Sequence, residues 1–418
     1  MTIVGSMTEL HTPSRPGRST TGTAGARDAR VRWRMSAEAR ALLLVTAVLV
    51  TFGLAVLYSA STFSAIRLSL PSSHFFVQQL SGVIAGTVGF ALAAKIDAEY
   101  WKRVAWPIMI LSLLLMLITV LPFTKGIVPM KGGSRRFFSG GSIQPSEFAK
   151  FAVLVWTPML LVKKGEAVRR LGKGILPFLL VIGSLSYMAL KEPDLSVAMT
   201  FCLLMAVLLF VGGARIAHFV FLGLLAMLLT VQQVQQKEYV ADRVRVFLNR
   251  ESADSITTKQ SSAGDQQKQS LIAIGSGGVV GKGFGRGNQQ RGWLPLAYND
   301  FIASVVGEEF GFLGIAGLTL GFALYGWLGF RIAKNARSAF TSLFAVGLTF
   351  TTVLTAFVHI GVAIDLLPNT GLTLPFVSLG RSNLILTLGM TGILVNIGSE
   401  RERVFGEHAT DPSYARAS

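Results

Sequence analysis

The chain has 418 residues, of which 51% are hydrophobic and only 15% are charged, and its mean hydropathy is +0.54. Soluble globular domains are usually about one quarter charged, so this composition excludes an ordinary soluble protein. The net charge of +17 does not indicate a nucleic-acid partner, because basic residues beside membrane helices account for much of it. The single cysteine, Cys202, excludes an intrachain disulfide.

The amino-terminal segment differs from the rest of the chain in composition. It is rich in Ser, Thr, Gly and Arg, and it lacks the apolar core and the cleavage site of a signal peptide. We therefore predict a disordered basic cytoplasmic tail over residues 1–40, a membrane domain over 41–400 and a second cytoplasmic tail over 401–418.

Apolar segments follow this tail at regular intervals, and most have the length of about 17 to 25 residues that spans a bilayer. They predict an all-α, polytopic integral membrane protein with about ten transmembrane helices. Lys and Arg in the short loops beside the helix ends place those loops and both termini in the cytoplasm. The predicted segments are 42–60, 76–94, 104–122, 147–162, 175–190, 195–212, 217–234, 301–330, 340–363 and 383–398.

Three longer connections then face outward: 122–146, 235–300 and 366–383. The longest, between helices 7 and 8, carries nine Lys and Arg residues, which membrane insertion does not require. Its part 271–287 holds seven glycines, a composition that suits irregular backbone packed against protein at membrane depth. The spacing fits neither a Walker loop nor a G-x-G-x-x-G loop, so we predict no nucleotide site there.

Three carboxylates lie where this connection enters helix 8, in the stretch LPLAYNDFIASVVGEEFG. Asp300 either caps the helix or presents a carboxylate beside the small polar face of Ser304 and Gly307. Glu308 and Glu309 lie deeper, where an ionisable side chain indicates a functional site by default. The alternative, which we favour for Glu309, is a structural ion pair with an Arg of the outer loop or with a neighbouring helix.

A second group of charges lies where the first outer connection enters helix 4. Arg135 and Arg136 have the geometry to bind a polyanion through forked hydrogen bonds, although interfacial Arg also extends to lipid headgroups. Glu147 and Lys150 follow at a spacing that allows an intrahelical ion pair.

The stretch KEPDLS forms the turn between helices 5 and 6. Here Glu192 is expected to pair with a cation and Asp194 to cap helix 6, unless both simply complete a capped turn. His74, His218 and His359 lack metal-ligand spacing, so we predict no structural metal.

Five stretches, in this order, closely resemble the SEDS family of polytopic peptidoglycan glycosyltransferases, whose main branches are FtsW and RodA. The match covers about 130 to 398, and ten helices fit the body of the chain from about 42. The glycine-rich stretch and the long amino-terminal tail are more similar to the division branch, FtsW. The five stretches are GGSRRFFSGGSIQPSEFAK, KEPDLS, QSLIAIGSGGVVGKGFGRGNQQ, LPLAYNDFIASVVGEEFGFLG and DLLPNTGLTLPFVSLGRSNL.

The resemblance implies an inverting transfer that polymerises lipid II, a disaccharide-pentapeptide on undecaprenyl diphosphate, into glycan strands at the outer face of the inner membrane. It implies that Asp300 is the catalytic base. It implies that Arg135, Arg136 and Lys150 hold the diphosphate while Glu147 orients Lys150. Further residues in the matched stretches are expected to bind substrate, namely Glu192, Asp194, Lys282 and Ser378, while Glu308 and Glu309 support helix 8.

The resemblance also implies partners. A single-pass class B penicillin-binding protein, which crosslinks the strands, is expected on another chain, together with other division proteins and membrane lipids. A divalent cation, Mg²⁺ or Mn²⁺, is expected only as a loose ligand of the diphosphate. The expected location is the membrane at the division site.

The chain departs from the family's usual pattern at five positions. The family usually has Glu, His, Thr, Gly and Ser where this chain has Leu296, Tyr298, Asn299, Arg381 and Asn383. These changes leave the aspartate intact and affect the details of substrate contact. Other functions stay open: a RodA-like polymerase of elongation, a lipid II flippase, which the outward position of the candidate groups disfavours, and a non-catalytic scaffold for division proteins.

Overall fold

The structure is a computed structural model, in which most of the described chain is helical. The helices form one compact unit over Met35–Ser399. Two short strands, β1 (Arg30–Met35) and β2 (Ser399–Val404), pair as a two-stranded sheet. The structure describes residues 30–121, 144–192, 194–220 and 262–404, together with the single positions 124, 128, 138 and 223.

Among the described residues, nine α-helices follow predicted apolar segments, and most of them extend beyond the predicted bounds. One α-helix, Ser262–Gly277, was not predicted, because it lies in the outer connection 235–300 and replaces the irregular backbone expected at the start of 271–287. Short helical turns lie at Gly165–Arg169, Leu171–Ile175 and Gln289–Arg291. The α-helices are α1 (Ala37–Arg67), α2 (His74–Lys95), α3 (Ala98–Val120), α4 (Pro145–Lys164), α5 (Leu176–Lys191), α6 (Leu195–Val211), α7 (Ser262–Gly277), α8 (Ile302–Lys334), α9 (Ala339–Ala363) and α10 (Arg381–Ile397).

Seven helices within the described residues are long and apolar enough to cross a membrane. The apolar helices α6 and α10 are shorter, at 17 residues each. The seventh predicted segment, 217–234, lies mostly outside the described residues. The all-α, polytopic membrane fold is therefore confirmed, and the division into tails and a membrane domain stays a prediction.

Polar caps explain why several helices begin before their apolar segment. The Ser36 hydroxyl accepts a hydrogen bond from the Ala39 N–H and starts α1. Ser338 and Thr341 form a capping box at the start of α9. Pro145 occupies the first turn of α4, where its missing N–H leaves no helical bond unmade.

In helix α4, 83% of the apolar stretch is buried inside the protein, against 22–39% in α1, α2, α3, α5 and α8. Helix α4 therefore lies in the centre of the bundle. Its Trp156 is fully buried and packs edge-on against Trp106 and Phe178, with ring centroids 5.4 and 5.6 Å apart. The charged side chain of Lys150 on this helix is therefore enclosed by protein rather than by lipid.

The connection between α9 and α10, residues 364–380, dips into the helix bundle. Its Phe376 is buried and contacts Phe322 and Tyr325, which lie far along α8. Gly53 on α1 makes this approach possible, since a Cβ there would lie 2.5 Å from the Phe376 carbonyl oxygen. Irregular backbone that is buried among membrane helices must have its N–H and C=O groups hydrogen-bonded by protein. Some of the groups that provide these hydrogen bonds belong to the candidate site.

Candidate active site

Asp300 lies in the turn that immediately precedes α8. It is half-buried and stands one residue before Phe301, which occupies the cap position of the helix. The N–H groups of Asn299 and Asp300 both donate to the Leu296 carbonyl oxygen, at 2.9 and 3.1 Å. Leu296 has a φ of +53°, an uncommon conformation for a side chain of its size, which makes the turn tight.

Polar and aromatic groups surround the carboxylate. The Asn299 side-chain Nδ2 donates to Asp300 Oδ1 at 3.0 Å. Tyr298 stacks on Phe75 of α2, with ring centroids 4.8 Å apart and an angle of 23° between the rings. Burial raises the pKa of the Tyr298 phenol, and the negative charge of Asp300 raises it further. Tyr298 and Asn299 are two of the departures from the family pattern, and both belong to the immediate surroundings of the aspartate.

The connection 364–380 holds the Asp300 turn in place. The Ser378 hydroxyl donates to the Asn299 carbonyl oxygen at 2.7 Å, and the Leu379 N–H donates to the Tyr298 carbonyl oxygen at 3.1 Å. Ser378 is 4% exposed, and its hydroxyl also accepts from the Leu374 N–H. The Ser378 hydroxyl thus contacts the turn and its own loop, and its predicted role in substrate binding stays a prediction.

Lys150 and Glu147 form the predicted ion pair, with Lys150 Nζ 2.7 Å from Glu147 Oε1. Their side chains are only 5% and 13% exposed, so the pair lies inside the protein. They line a narrow cavity between α4, α9 and α10, which has room for about one water molecule. The cavity is lined by Glu147, Lys150, Thr351, Thr352, Thr355, Pro375, Asn383, Leu386, Thr387 and Met390.

The same connection forms one wall of this cavity. Pro375 lines it, and Thr373 accepts a hydrogen bond at 2.6 Å from the Asn383 side chain, which lines it as well. Three residues beyond Pro375, Ser378 contacts the Asp300 turn. A single segment of backbone therefore joins the aspartate to the cavity that contains the buried lysine.

Threonines in this cavity are the residues that sequence reasoning missed. The hydroxyls of Thr351, Thr355 and Thr387 each donate to the carbonyl oxygen four residues earlier, at 2.7–2.8 Å. Their oxygen lone pairs are therefore what they offer to a ligand. The signal was a spacing of four between polar residues in apolar helices, as in Asn383 and Thr387.

Glu308 is fully buried and is neutralised by the glycine-rich part of the long connection. Its Oε1 lies 2.8 Å from Lys282 Nζ and also accepts from the Asn288 N–H at 2.8 Å. The predicted structural ion pair is therefore present, with a lysine in place of the expected arginine. Lys282, which was predicted to bind substrate, is engaged in this pair with 29% of its side chain exposed.

Glu309 is 1% exposed and is held by neutral donors within the described residues. Its Oε1 accepts from the Gly285 N–H at 3.0 Å, from Gln290 Nε2 at 2.9 Å and from the hydroxyl of Ser59 on α1. Among the described residues no ion pair of Glu309 is formed, and the ion pair favoured for it stays a prediction. The role of support for helix α8 agrees with these contacts, which tie α1 and the glycine-rich segment to α8.

Helix α8 breaks beside these carboxylates, at Gly311, whose φ is +66°. The glycine-rich segment satisfies the backbone at the break: the N–H groups of Phe312 and Leu313 donate to the carbonyl oxygens of Gly278 and Val279 at 2.9 and 3.1 Å. A Cβ on Gly311 would lie 2.4 Å from the Gly281 nitrogen. The glycines thus allow two backbones to pack directly, as the composition predicted.

The turn between α5 and α6 contains two buried carboxylates. Asp194 caps α6, since its side chain accepts from the Val197 N–H at 3.2 Å, while the Glu192 carboxylate accepts from the hydroxyl of Thr119 on α3. Their part in substrate binding stays a prediction. Arg135 and Arg136 lie outside the described residues.

Comparisons with known proteins agree with this architecture. The chain is 34% identical over 371 residues to the probable peptidoglycan glycosyltransferase FtsW of Trichlorobacter lovleyi, which covers 88% of this chain and 95% of that relative. It is 34% identical over 360 residues to the stage V sporulation protein E of Bacillus subtilis, covering 85% and 95% of the two chains.

Solved structures share the fold. A chain from a structure titled "Structural coordination of polymerization and crosslinking by a peptidoglycan synthase complex" matches with a TM-score of 0.69 at 24% identity, covering 85% of this chain and 96% of that one. Rod shape determining protein RodA of Thermus thermophilus matches with a TM-score of 0.62 at 24% identity, covering 85% and 95%. The family model for FtsW, RodA and SpoVE, described as "Cell cycle protein", matches residues 39–403. The chain therefore belongs to the FtsW/RodA/SpoVE family, the SEDS family that its sequence resembles.

Proposed function

We propose that this chain is a peptidoglycan glycosyltransferase of the FtsW type, which polymerises lipid II into glycan strands during cell division. Relatives that are 34% identical over most of the chain carry this name. The observation that carries the proposal is the setting of Asp300: a half-buried carboxylate on a tight turn, held by the same loop that walls the Lys150 cavity.

The proposed reaction is a single displacement with inversion, because the donor bond is alpha and the product bond is beta-1,4. Asp300 accepts the proton of the attacking sugar hydroxyl as that oxygen bonds to the anomeric carbon. The bond from the anomeric carbon to the diphosphate oxygen breaks, and undecaprenyl diphosphate leaves. A positioned base contributes about 10²–10⁴-fold to such a step.

Lys150 is proposed to stabilise the departing diphosphate, together with Arg135 and Arg136. The buried ammonium of Lys150 needs a counter-charge, which Glu147 supplies in the structure. A diphosphate carries more negative charge than Glu147 and competes with it for the ammonium. The cavity beside Lys150 has room for about one water molecule, so it must widen to admit the diphosphate. Glu147 therefore orients the lysine before substrate arrives.

A divalent cation at the diphosphate is kept as part of the proposal. Among the described residues, no group of three or more His, Cys, Asp and Glu side chains is arranged to hold a metal ion. These residues do not fit a protein-bound ion, so the cation would arrive on the diphosphate itself. No step of the proposed reaction is assigned to it.

The proposed location is the bacterial cytoplasmic membrane at the division site, with both termini in the cytoplasm. The basic short loops support this orientation. The proposed partners are lipid II, membrane lipids, a class B penicillin-binding protein and other division proteins. The fold match to a chain of a peptidoglycan synthase complex supports a partner that crosslinks the strands.

The test is polymerisation of purified lipid II by the full-length chain in detergent. Asp300→Asn keeps the size of the side chain and removes the base, so we expect strand formation to fall about 10²–10⁴-fold with an unchanged unfolding temperature. The matched control is Asp265→Asn, because Asp265 is an exposed aspartate in the first turn of α7.

Full polymerisation by Asp300→Asn would contradict the assignment of the base. Strand formation by the wild type in detergent, where transport across a bilayer has no meaning, would also argue against a flippase. If the wild-type chain made no strands from lipid II, the proposed function would be contradicted.

A further inference from the structure

Asn299 contacts its neighbours through both ends of the residue. Its side-chain Nδ2 donates to Asp300 Oδ1 at 3.0 Å, while its carbonyl oxygen accepts from the Ser378 hydroxyl at 2.7 Å. The first contact fixes one oxygen of the carboxylate, and the second fixes the peptide group from which the carboxylate projects. A hydrogen bond to a carboxylate also stabilises its ionised form.

Ser378 is in turn held by a residue of an apolar helix. Gln79 of α2 is 1% exposed, and its side-chain amide contacts the backbone on both sides of Leu379. Gln79 Nε2 donates to the Ser378 carbonyl oxygen at 3.0 Å, and its Oε1 accepts from the Gly380 N–H at 3.1 Å. A buried amide in a membrane helix needs such partners, and here both of its polar atoms are used on this one segment.

We propose that Asn299 is a positioning residue for Asp300. We propose further that Gln79 fixes the position of Asn299, because it holds Ser378, which contacts Asn299. This inference rests on the proposed function, because it assigns an orienting role toward the proposed base. The series Gln79, residues 378–380, Asn299 and Asp300 connects the interior of α2 to the carboxylate. A base held in this way is pre-oriented before the acceptor hydroxyl arrives.

A merely structural contact of Asn299 predicts a different outcome from an orienting one. If Asn299 only stabilises the turn, its replacement lowers stability or the amount of folded protein and reduces activity equally at every pH. If it stabilises the ionised carboxylate, its loss makes the proton bind more tightly. A higher pH is then needed to produce the active base, and the acidic limb of the pH–rate profile moves upward.

The experiment measures kcat and KM for lipid II against pH with the full-length chain in detergent. Asn299→Leu removes the donor, and we expect the acidic limb of kcat to rise by about one pH unit. Asn299→Asp keeps the shape and places a like charge beside Asp300, so it is expected to move the limb further in the same direction. KM is expected to change less than twofold. The control is Asn335→Leu, at the exposed far end of α8.

Gln79→Leu tests the more distant part of the series. It removes both hydrogen bonds to residues 378–380, so the Asp300 turn is no longer fixed in one position. We therefore expect kcat to fall about tenfold with KM nearly unchanged. Gln78→Leu is the matched control, since Gln78 is the adjacent glutamine and is less buried. Thermal unfolding in detergent shows which variants are folded.

The outcomes separate this inference from the proposed function. If Asp300→Asn keeps full activity, the proposed base is wrong. If Asp300→Asn is inactive while Asn299→Leu and Asn299→Asp keep the wild-type acidic limb, the positioning role is wrong and the proposed function stands. A uniform loss at every pH by folded Asn299 variants would overturn the stabilisation of the ionised carboxylate by Asn299, while an upward move of the limb supports it.

Discussion

Two segments outside the long helices pack against α8, one held mainly by charged side chains and the other by neutral ones. The glycine-rich segment 278–292 is fixed by carboxylates and by direct contact between backbones, through Glu308, Glu309 and the break at Gly311. The connection 364–380 is fixed by neutral side chains from other elements. Among them, Ser196 donates to the Thr370 carbonyl oxygen at 2.8 Å, and Nδ1 of His359 lies 2.7 Å from the Leu372 carbonyl oxygen.

The difference follows from composition. A glycine-rich segment offers few side chains, here Lys282 and Gln290, so most of its contacts with α8 come from its backbone N–H groups. A carboxylate of α8 can accept several such donors at once. The second segment has more side chains of its own, and its neutral partners avoid the cost of a buried charge. Asp300 lies at the junction of the two segments, following the first in sequence and contacting the second in space.

The largest effect is expected where backbone meets backbone. Gly311→Ala places a Cβ 2.4 Å from the Gly281 nitrogen at a φ of +66°, so we expect the free energy of unfolding to fall by about 3 to 5 kcal/mol. Gly317→Ala on the same helix has open space around the new Cβ and is expected to stabilise by about 0.5 to 1 kcal/mol. Denaturant unfolding in detergent compares the two, and equal stabilities would contradict direct packing at the break.

A smaller effect is expected at the ion pair. Lys282→Met leaves the fully buried Glu308 carboxylate without its cation, and we expect a loss of about 3 kcal/mol in unfolding free energy. Adding Glu308→Gln to Lys282→Met is expected to recover part of that loss, because no uncompensated charge then remains. Lys334→Met, at the exposed far end of α8, is the control.

Salt sharpens this comparison between the two segments. Lys282 is partly exposed, so high salt is expected to reduce the difference between Lys282→Met and the wild type. The effect of Gln79→Leu on the neutral contacts of the second segment is expected to be independent of salt. If both variants responded alike to salt, the distinction between a charged and a neutral set of contacts would be wrong.

The fold was predictable because helix periodicity and length are local properties of the sequence. The predicted segment 340–363 matches α9 within one residue. The break at Gly311 was not predictable, since one backbone angle inside an apolar run depends on what packs against it. At the site, residue type and position made Asp300 a candidate, and the family resemblance made it the predicted base. The contact between Asn299 and Ser378 joins residues 79 positions apart, and no local pattern indicates it.

The smallest expected effect is at Tyr298, whose carbonyl oxygen accepts from the second segment while its ring stacks on α2. Its pKa is raised by burial first and by Asp300 second. As the pH rises, the unfolded chain therefore ionises this phenol before the folded chain does. The resulting contribution to stability is fully present below about pH 10 and is lost as the pH climbs through the higher folded-state value.

Tyr298→Phe removes this one titration and keeps the ring. We expect wild type and variant to have similar unfolding temperatures near neutral pH, and the variant to lose less on transfer to alkaline buffer. In an Asp300→Asn background the difference between Tyr and Phe is expected to shrink, because the second cause of the raised pKa is gone. If the wild type, Tyr298→Phe, Asp300→Asn and the double variant all lost the same stability at alkaline pH, the charge of Asp300 would not affect the ionisation of the Tyr298 phenol. The two segments would then have no electrostatic interaction at Tyr298.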